Sequence, residues 1–200
     1  MLPPRRSPPA KTATAAPGKV RIIAGSLRNS RLAVPDLPGL RPTAERVRET
    51  LFNWLAPHLE GARCLDLFAG TGALGIEAAS RGAGEVVMVE RDASLAAALR
   101  ANLLRLKVTT TQVENADALA FLDRAEGTFD IVFLDPPFAR DLWAPAAQRL
   151  QQRGLLRAEA LVYVESPATL APEVPADWSV HREGRAGEVR YVLYRTPSSG

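Results

Sequence analysis

The sequence predicts a single α/β domain built on a mostly parallel sheet, and three observations carry that prediction. Apolar strand-like runs alternate with Ala- and Leu-rich helical runs from residue 63 onward, a glycine-rich turn follows the first of those strands, and 200 residues are enough to bury a sizeable core without disulfides or metal. Alternation of this kind demands right-handed crossovers, which gather ligands at the carboxyl ends of the strands.

Residues 1–18 hold five prolines and almost no large apolar side chain. Such a segment cannot bury enough surface to offset the entropy of ordering, so a disordered basic tail is expected there. The runs VRIIAG and SRLAVP flank the turn-prone stretch Ser26–Ser30 and predict a small hairpin. Proline at 42 disfavours helix for Arg41, and Thr43 can cap a helix carrying Val47, Thr50, Leu51, Trp54 and Leu55 on one face, with Pro57 just past its end. Strand and helix then alternate as RCLDLFA and ALGIEAASRG, EVVMVE and ASLAAALRANLLRL, TTTQVENA and ALAFLDRA. FDIVFLD, a helix near 141–153, ALVYVES and two last strands around WSVHRE and EVRYVLYR complete the chain.

Composition narrows the class of function. Cys64 is the only cysteine and sits in an apolar run, which excludes a disulfide framework or a zinc cluster and predicts a buried thiol. No metal site is expected. No run of eighteen apolar residues and no secretory apolar block is present, so a cytoplasmic protein without membrane attachment is expected. The formal charge of +3 is unevenly spread: residues 1–48 carry ten Lys or Arg against Asp36 and Glu45, a net +8 that leaves −5 for the remainder. A basic N-terminal quarter suits a partner bearing phosphates, although the 22 arginines against 3 lysines also fit an ordinary solvated surface.

Residues 64–75 read Cys-Leu-Asp-Leu-Phe-Ala-Gly-Thr-Gly-Ala-Leu-Gly. Gly70 and Gly72 fall where a buried strand turns into a helix, and glycine there lets the backbone approach a ligand. Gly70-x-Gly72-x-x-Gly75 followed by Glu90 twenty residues on also satisfies the dinucleotide fingerprint, so a nicotinamide (NAD) dehydrogenase competes with an S-adenosylmethionine enzyme. Asp66, inside the strand, tilts the choice toward the latter, because a buried carboxylate needs a partner and an amino-acid ammonium would suit it. Asp117 follows the third strand of the alternation, where it can accept from an adenine amine or cap the next helix.

The strand FDIVFLD ends in Asp135-Pro136-Pro137-Phe138. Two prolines make a stiff elbow that presents carbonyl acceptors. An exocyclic amine of a base is a poor nucleophile, its lone pair being delocalised into the ring. Acceptors at Asp135 and Pro136 would hold its two N–H groups and favour a pyramidal nitrogen in line with an activated methyl, while Phe138 stacks on a base turned out of its helix.

The stretch from Arg41 to Leu55 (RPTAERVRETLFNWL), the turn Leu65–Gly72 and the tetrad Asp135–Phe138 together resemble RsmD, the bacterial family of small-subunit ribosomal RNA guanine-N2 methyltransferases, over about Val20 to Arg195. The tetrad alone is shared with DNA and other RNA amino-methyltransferases; the Arg-Pro-Thr helix narrows the choice. The resemblance implies a class I S-adenosylmethionine-dependent, Rossmann-like fold with seven strands, the last antiparallel. The tail 1–18 departs from the family's pattern; the remainder is expected to be one methyltransferase domain over 19–200, with an extension over 19–60 and a catalytic core over 61–197. The resemblance assigns Asp66, Gly70 and Gly72 to the methionine part of the cofactor, Glu90 to its ribose and Asp117 to its adenine, with Phe68, Arg91 and Ala118 completing the set and Thr43 and Arg46 at its border. It makes Asp135, Pro136, Pro137 and Phe138 the catalytic group and Arg28, Arg41 and Arg48 RNA contacts. The implied substrate is guanine 966 of 16S ribosomal RNA in the small subunit or an assembly intermediate, acted on by a monomer.

Three other readings stay open on the residues alone. A DNA or RNA adenine-N6 methyltransferase would use the same tetrad. The dehydrogenase lacks a His, Lys or Tyr constellation, since His58 and His181 look like surface or loop residues. A non-catalytic ribosome-assembly protein has no need of an intact tetrad.

Overall fold

The computed structural model describes residues 19–35, 37, 40 and 43–198, so the expected tail 1–18 and the expected RNA contact Arg41 lie outside the described residues. The elements run β1 (Lys19–Arg21), β2 (Arg31–Ala33), α1 (Glu45–Leu59), β3 (Arg63–Asp66), α2 (Ala73–Ser80), β4 (Glu85–Glu90), α3 (Ala93–Leu106) and β5 (Thr111–Asn115), then α4 (Ala118–Arg124), β6 (Phe129–Leu134), α5 (Trp143–Gln152), β7 (Leu156–Pro167), β8 (Ser179–Ala186) and β9 (Val189–Arg195). A seven-stranded sheet has the order β5-β4-β3-β6-β7-β9-β8, with β9 antiparallel to both neighbours and the other strands parallel. That antiparallel insertion separates it from the wholly parallel order of dinucleotide-binding domains. Chain order reverses between β3 and β6, and the crevice outside their carboxyl ends is where such sheets bind ligands.

Alternation along the strands builds two cores. Cys64, Phe133, Tyr163 and Leu193 face α1, α2 and α3 with Leu51, Phe52, Leu55, Ile76 and Leu99. Leu65, Val132, Val162 and Val192 face α4 and α5 with Phe121, Leu122, Trp143 and Leu150. Cys64 is fully buried, and burial pushes its thiol up to about 12, as an inert core thiol requires.

The extension is fastened to this core by polar side chains. Glu77 of α2, fully buried, accepts from the backbone N–H groups of Ile23 and Ala24 at 2.8 and 3.0 Å. Asn102 of α3 pairs with both the N–H and the carbonyl of Ala33, at 3.1 and 2.9 Å.

Two expectations need correction in α1. The helix does not stop before Pro57 but runs through it to Leu59. A proline in the last turn forfeits only one ladder bond, and the buried anchors Leu55 and Leu59 hold that turn down. Thr43 does not cap it either: the cap residue is Ala44, with no side-chain bond. Among the described residues no helix is long and apolar enough to cross a membrane.

Candidate active site

The turn between β3 and α2 is shaped by its neighbours. Gly70 and Gly72 take positive φ of 51° and 78°. A Cβ on Gly72 would lie 2.5 Å from Leu99 Cδ2, so both the backbone conformation and the space exclude a side chain. Three backbone N–H groups tie the turn to the sheet: Ala69 donates to the Val89 carbonyl at 2.9 Å, Gly70 to Glu90 Oε2 at 2.9 Å, and Gly75 to Asp66 Oδ2 at 2.9 Å. Glu90, expected from sequence at the cofactor ribose, thus also holds the turn, and its other oxygen accepts from the Asp92 N–H at 2.7 Å.

Asp66 is buried, and burial lifts its carboxyl to about 7 despite the Gly75 bond, with Glu90 raising it further. A buried carboxyl in that state is poised to receive a cation. Asp117 caps α4, its Oδ1 accepting from Leu119 and Ala120 N–H at 3.0 and 3.3 Å. Its Oδ2 takes no bond from the described residues, which leaves an acceptor at the end of β5. Phe68 is half-buried, Ala118 is buried at the first turn of α4, and Arg91 and Arg46 are exposed. The turn with Gly70 and Gly72 at positive φ, the buried Asp66 and the acceptors at the ends of β4 and β5 are the groups expected from sequence to meet the methionine, ribose and adenine parts of S-adenosylmethionine. A cavity of about 220 Å³ lined by His58, Asp130, Arg157 and Glu159 lies at the opposite end of the sheet and contains none of these residues.

Asp135 follows β6 directly, one residue past the register pair Leu134↔Val164 of β6 and β7, so Glu165 stands opposite it across the two strands. Phe133 and Tyr163, two residues earlier, share the core facing α1, which puts Asp135 and Glu165 on that same face. Thr43 Oγ1 donates to Asp135 Oδ2 at 3.3 Å; the threonine expected to cap a helix reaches the tetrad instead. Burial raises Asp135 well above the usual carboxylate range, with Glu165 and then Asp66 adding to the shift and Thr43 opposing it. Glu165 is raised by burial too, opposed by the Tyr163 hydroxyl, which donates to Glu165 Oε2 at 2.7 Å.

Beyond Asp135, Pro136 is buried and its carbonyl accepts from no N–H of the described residues, whereas the Pro137 carbonyl accepts from Arg140 N–H at 2.9 Å. Phe138 is 41% exposed, its ring centroid 5.9 Å from that of Trp143, whose Nε1 donates to the Glu165 carbonyl at 2.7 Å. The elbow therefore offers an acceptor pair, Asp135 and Pro136, beside an aromatic face open to a ligand.

Arg48 is not an RNA contact. It is 1% exposed, pairs with Glu77 at 3.4 Å and donates to the carbonyls of Arg21 and Thr43 at 3.0 and 3.3 Å. Its helical position among Val47, Leu51 and Leu55 places it on the inward face, where it neutralises a buried acid. Arg28, in contrast, is exposed at the hairpin turn. Glu165 and Tyr163 were not singled out from sequence; the signal was a lone acid inside the apolar run ALVYVES, the same signal that marked Asp66.

Sheet order, glycine turn and elbow together define a class I S-adenosylmethionine-dependent methyltransferase fold. A Streptococcus mutans structure described as a SAM-dependent methyltransferase shares it at TM-score 0.67 and 17% identity, covering 92% of this chain and 57% of that one. The chain belongs to the family described as conserved hypothetical protein 95, the RsmD family, which matches residues 20–195. It is 50% identical over 184 residues to the ribosomal RNA small subunit methyltransferase D of Escherichia coli K12, covering 92% of this chain and 93% of that protein. The Haemophilus influenzae protein of the same name is 44% identical, over 90% and 95% of the two chains. A solved Escherichia coli structure described as methyltransferase YhhF superposes at TM-score 0.85 with 46% identity, covering 91% of this chain and all of that one.

Proposed function

We propose that this protein methylates the exocyclic N2 of a guanine in small-subunit ribosomal RNA, the position equivalent to guanine 966, with S-adenosylmethionine as donor. The observation that carries the reading is the contact between the two motifs that sequence treated separately: Thr43 of the Arg-Pro-Thr segment holds Asp135 of the proline elbow, beside the turn that would receive the cofactor. The names of the relatives at 50% and 44% identity support the ribosomal RNA substrate.

S-adenosylmethionine supplies an electrophilic methyl group on a sulfonium. Asp66 and the turn at Gly70 and Gly72 would hold its amino-acid end, Glu90 its ribose and Asp117 its adenine, with Phe68, Arg91 and Ala118 beside them and Thr43 and Arg46 at the rim. Asp135 and the Pro136 carbonyl accept the two N–H groups of the flipped guanine amine, and Phe138 stacks on the ring, backed by Trp143. Orientation of this kind accounts for up to about 7–11 kcal/mol of a barrier in the best intramolecular cases. As the nitrogen gains a methyl it must lose a proton. Asp135, whose proton affinity is raised by burial and by Glu165, is suited to take it.

The test is methyl transfer by the purified protein to naked small-subunit RNA, a partly assembled particle and mature subunits, followed by nucleoside mass spectrometry. N2-methylguanosine is expected. A methyladenosine would assign the tetrad to adenine N6, and no transfer to any of the three would revive a non-catalytic assembly role.

A further inference from the structure

Cations are not distributed on this molecule as its ion pairs are. Nine arginines meet a carboxylate, among them Arg63, Arg81, Arg124, Arg149 and Arg190 on the core. The hairpin segment 19–35 and the stretch 93–113, which comprises α3, the loop to β5 and the first three residues of β5, contain no Asp or Glu at all. Between them they expose Lys19, Arg28, Arg31, Arg100, Arg105 and Lys107, and no carboxylate of the described residues pairs with any of the six.

The two elements form one continuous face. Arg105 Nη2 donates to the Arg31 carbonyl at 2.6 Å and Asn102 brackets Ala33, so hairpin and helix are seamed together. Arg100 Nη2 donates to the Val113 carbonyl at 2.9 Å. Both guanidiniums are thereby held by neutral oxygens, which fixes their position while leaving their charge uncompensated, a pre-organised arrangement for anions. The seam leads to the glycine turn: Ala33 and Pro35 pack beside Gly70, Thr71 and Leu99. Among the described residues, the one large apolar side chain that is exposed on this face is Leu104, at 82%, between Arg100 and Lys107. A protein partner would need a broader apolar centre with few charges; exposed cations without carboxylate partners suit a phosphate backbone.

Resting on the proposed action on RNA, we infer that the outer face of α3, continuous with the hairpin, binds the phosphate backbone of the substrate RNA next to the flipped base. Among the described residues, three of those six cations thus lie on α3 and its C-terminal cap and not on the hairpin.

The test uses the full-length protein and a transcript of small-subunit ribosomal RNA, with binding measured by filter retention between 50 and 200 mM salt. Two contacts removed should lower the slope of log K against log salt by about 1.4–1.8 and weaken binding at 0.1 M salt by about 25–60-fold. That loss is expected for Arg100→Gln with Lys107→Gln on α3, and equally for Arg28→Gln with Arg31→Gln on the hairpin. Ala101→Glu, at an exposed position of the same face, adds a repelling charge without removing any bond and should also weaken RNA binding while leaving S-adenosylmethionine affinity and melting temperature unchanged. Arg153→Gln with Arg182→Gln, exposed elsewhere, should keep the wild-type slope. Wild-type slope and affinity in the α3 pair and in Ala101→Glu would overturn the inference, as would losses that do not vary with salt. Because binding is read without turnover, failure of the wild-type protein to methylate ribosomal RNA would sink the proposed reaction separately.

Discussion

In the proposed site, Asp66 should make cofactor affinity depend on pH, in a direction that follows from its burial. Its carboxyl, buried beneath the glycine turn, loses its proton near 7 in the unliganded protein, against an ordinary value near 3.8. A bound ammonium favours the ionised form, so binding of S-adenosylmethionine must expel that proton below neutrality. Affinity should then fall about tenfold per pH unit below 7, about 1.4 kcal/mol each. The ligand's own α-amino group loses its proton near about 7.7–8.0, so affinity should peak between the two values. Calorimetry at pH 6, 7 and 7.5 in buffers of different ionisation enthalpy reads both the dissociation constant and the proton released. Adenosine, which lacks the ammonium, should bind without this dependence, and Asp66→Asn should lose it along with much of the affinity. The same shift acts on the unliganded fold: the native carboxyl binds its proton more tightly than the unfolded one, so this group's contribution to stability declines as pH rises from about 4 to about 7. A dissociation constant that stays flat from pH 6 to 7.5 with no proton release would refute the placement of the ammonium at Asp66.

Glu165→Gln removes the like charge facing Asp135, so Asp135 should ionise at lower pH and the acidic limb of the kcat profile should move to lower pH; an unmoved limb would contradict the pairing of the two acids. Arg48→Ala leaves Glu77 buried without one of its cations and should cost about 3–5 kcal/mol in denaturant unfolding, with RNA affinity of the folded protein unchanged. A small stability loss with weaker RNA binding would restore the surface role expected from sequence. Gly72→Ala must hold a side chain at φ 78° and 2.5 Å from Leu99, which should cost about 1–3 kcal/mol and weaken S-adenosylmethionine binding. Wild-type affinity in that variant would show the turn to be more yielding than its packing implies.

The fold was legible because its signals are local and periodic: strand and helix alternate in register with apolar residues, and glycine and proline mark the turns. The candidate site was legible for the same reason, since Asp66, the glycine turn and Asp135 each sit at the end of an apolar strand and topology brings strand ends together. What sequence could not give were relations set by packing across distant segments. Thr43 had a good local role as a helix cap, and only the placement of α1 over β6 turns it to Asp135. Arg48 looked like surface because arginines usually are, yet the acid that holds it inside, Glu77, lies 29 residues away. Glu165 became visible once β6 and β7 were set in register, opposite Asp135. Pro57 marks a helix end by local steric rules, which take no account of the burial of Leu59.

In the proposed reaction Asp135 acts on the amine that reacts and not on the cofactor. Single-turnover methyl transfer by Asp135→Ala, with the S-adenosylmethionine dissociation constant measured on the same sample, separates the two. The rate should fall by about 10²–10³, as for loss of one pre-organised group at a reacting centre, with the dissociation constant within about threefold of wild type. Equal losses in rate and in cofactor affinity would contradict it and make Asp135 a structural carboxylate.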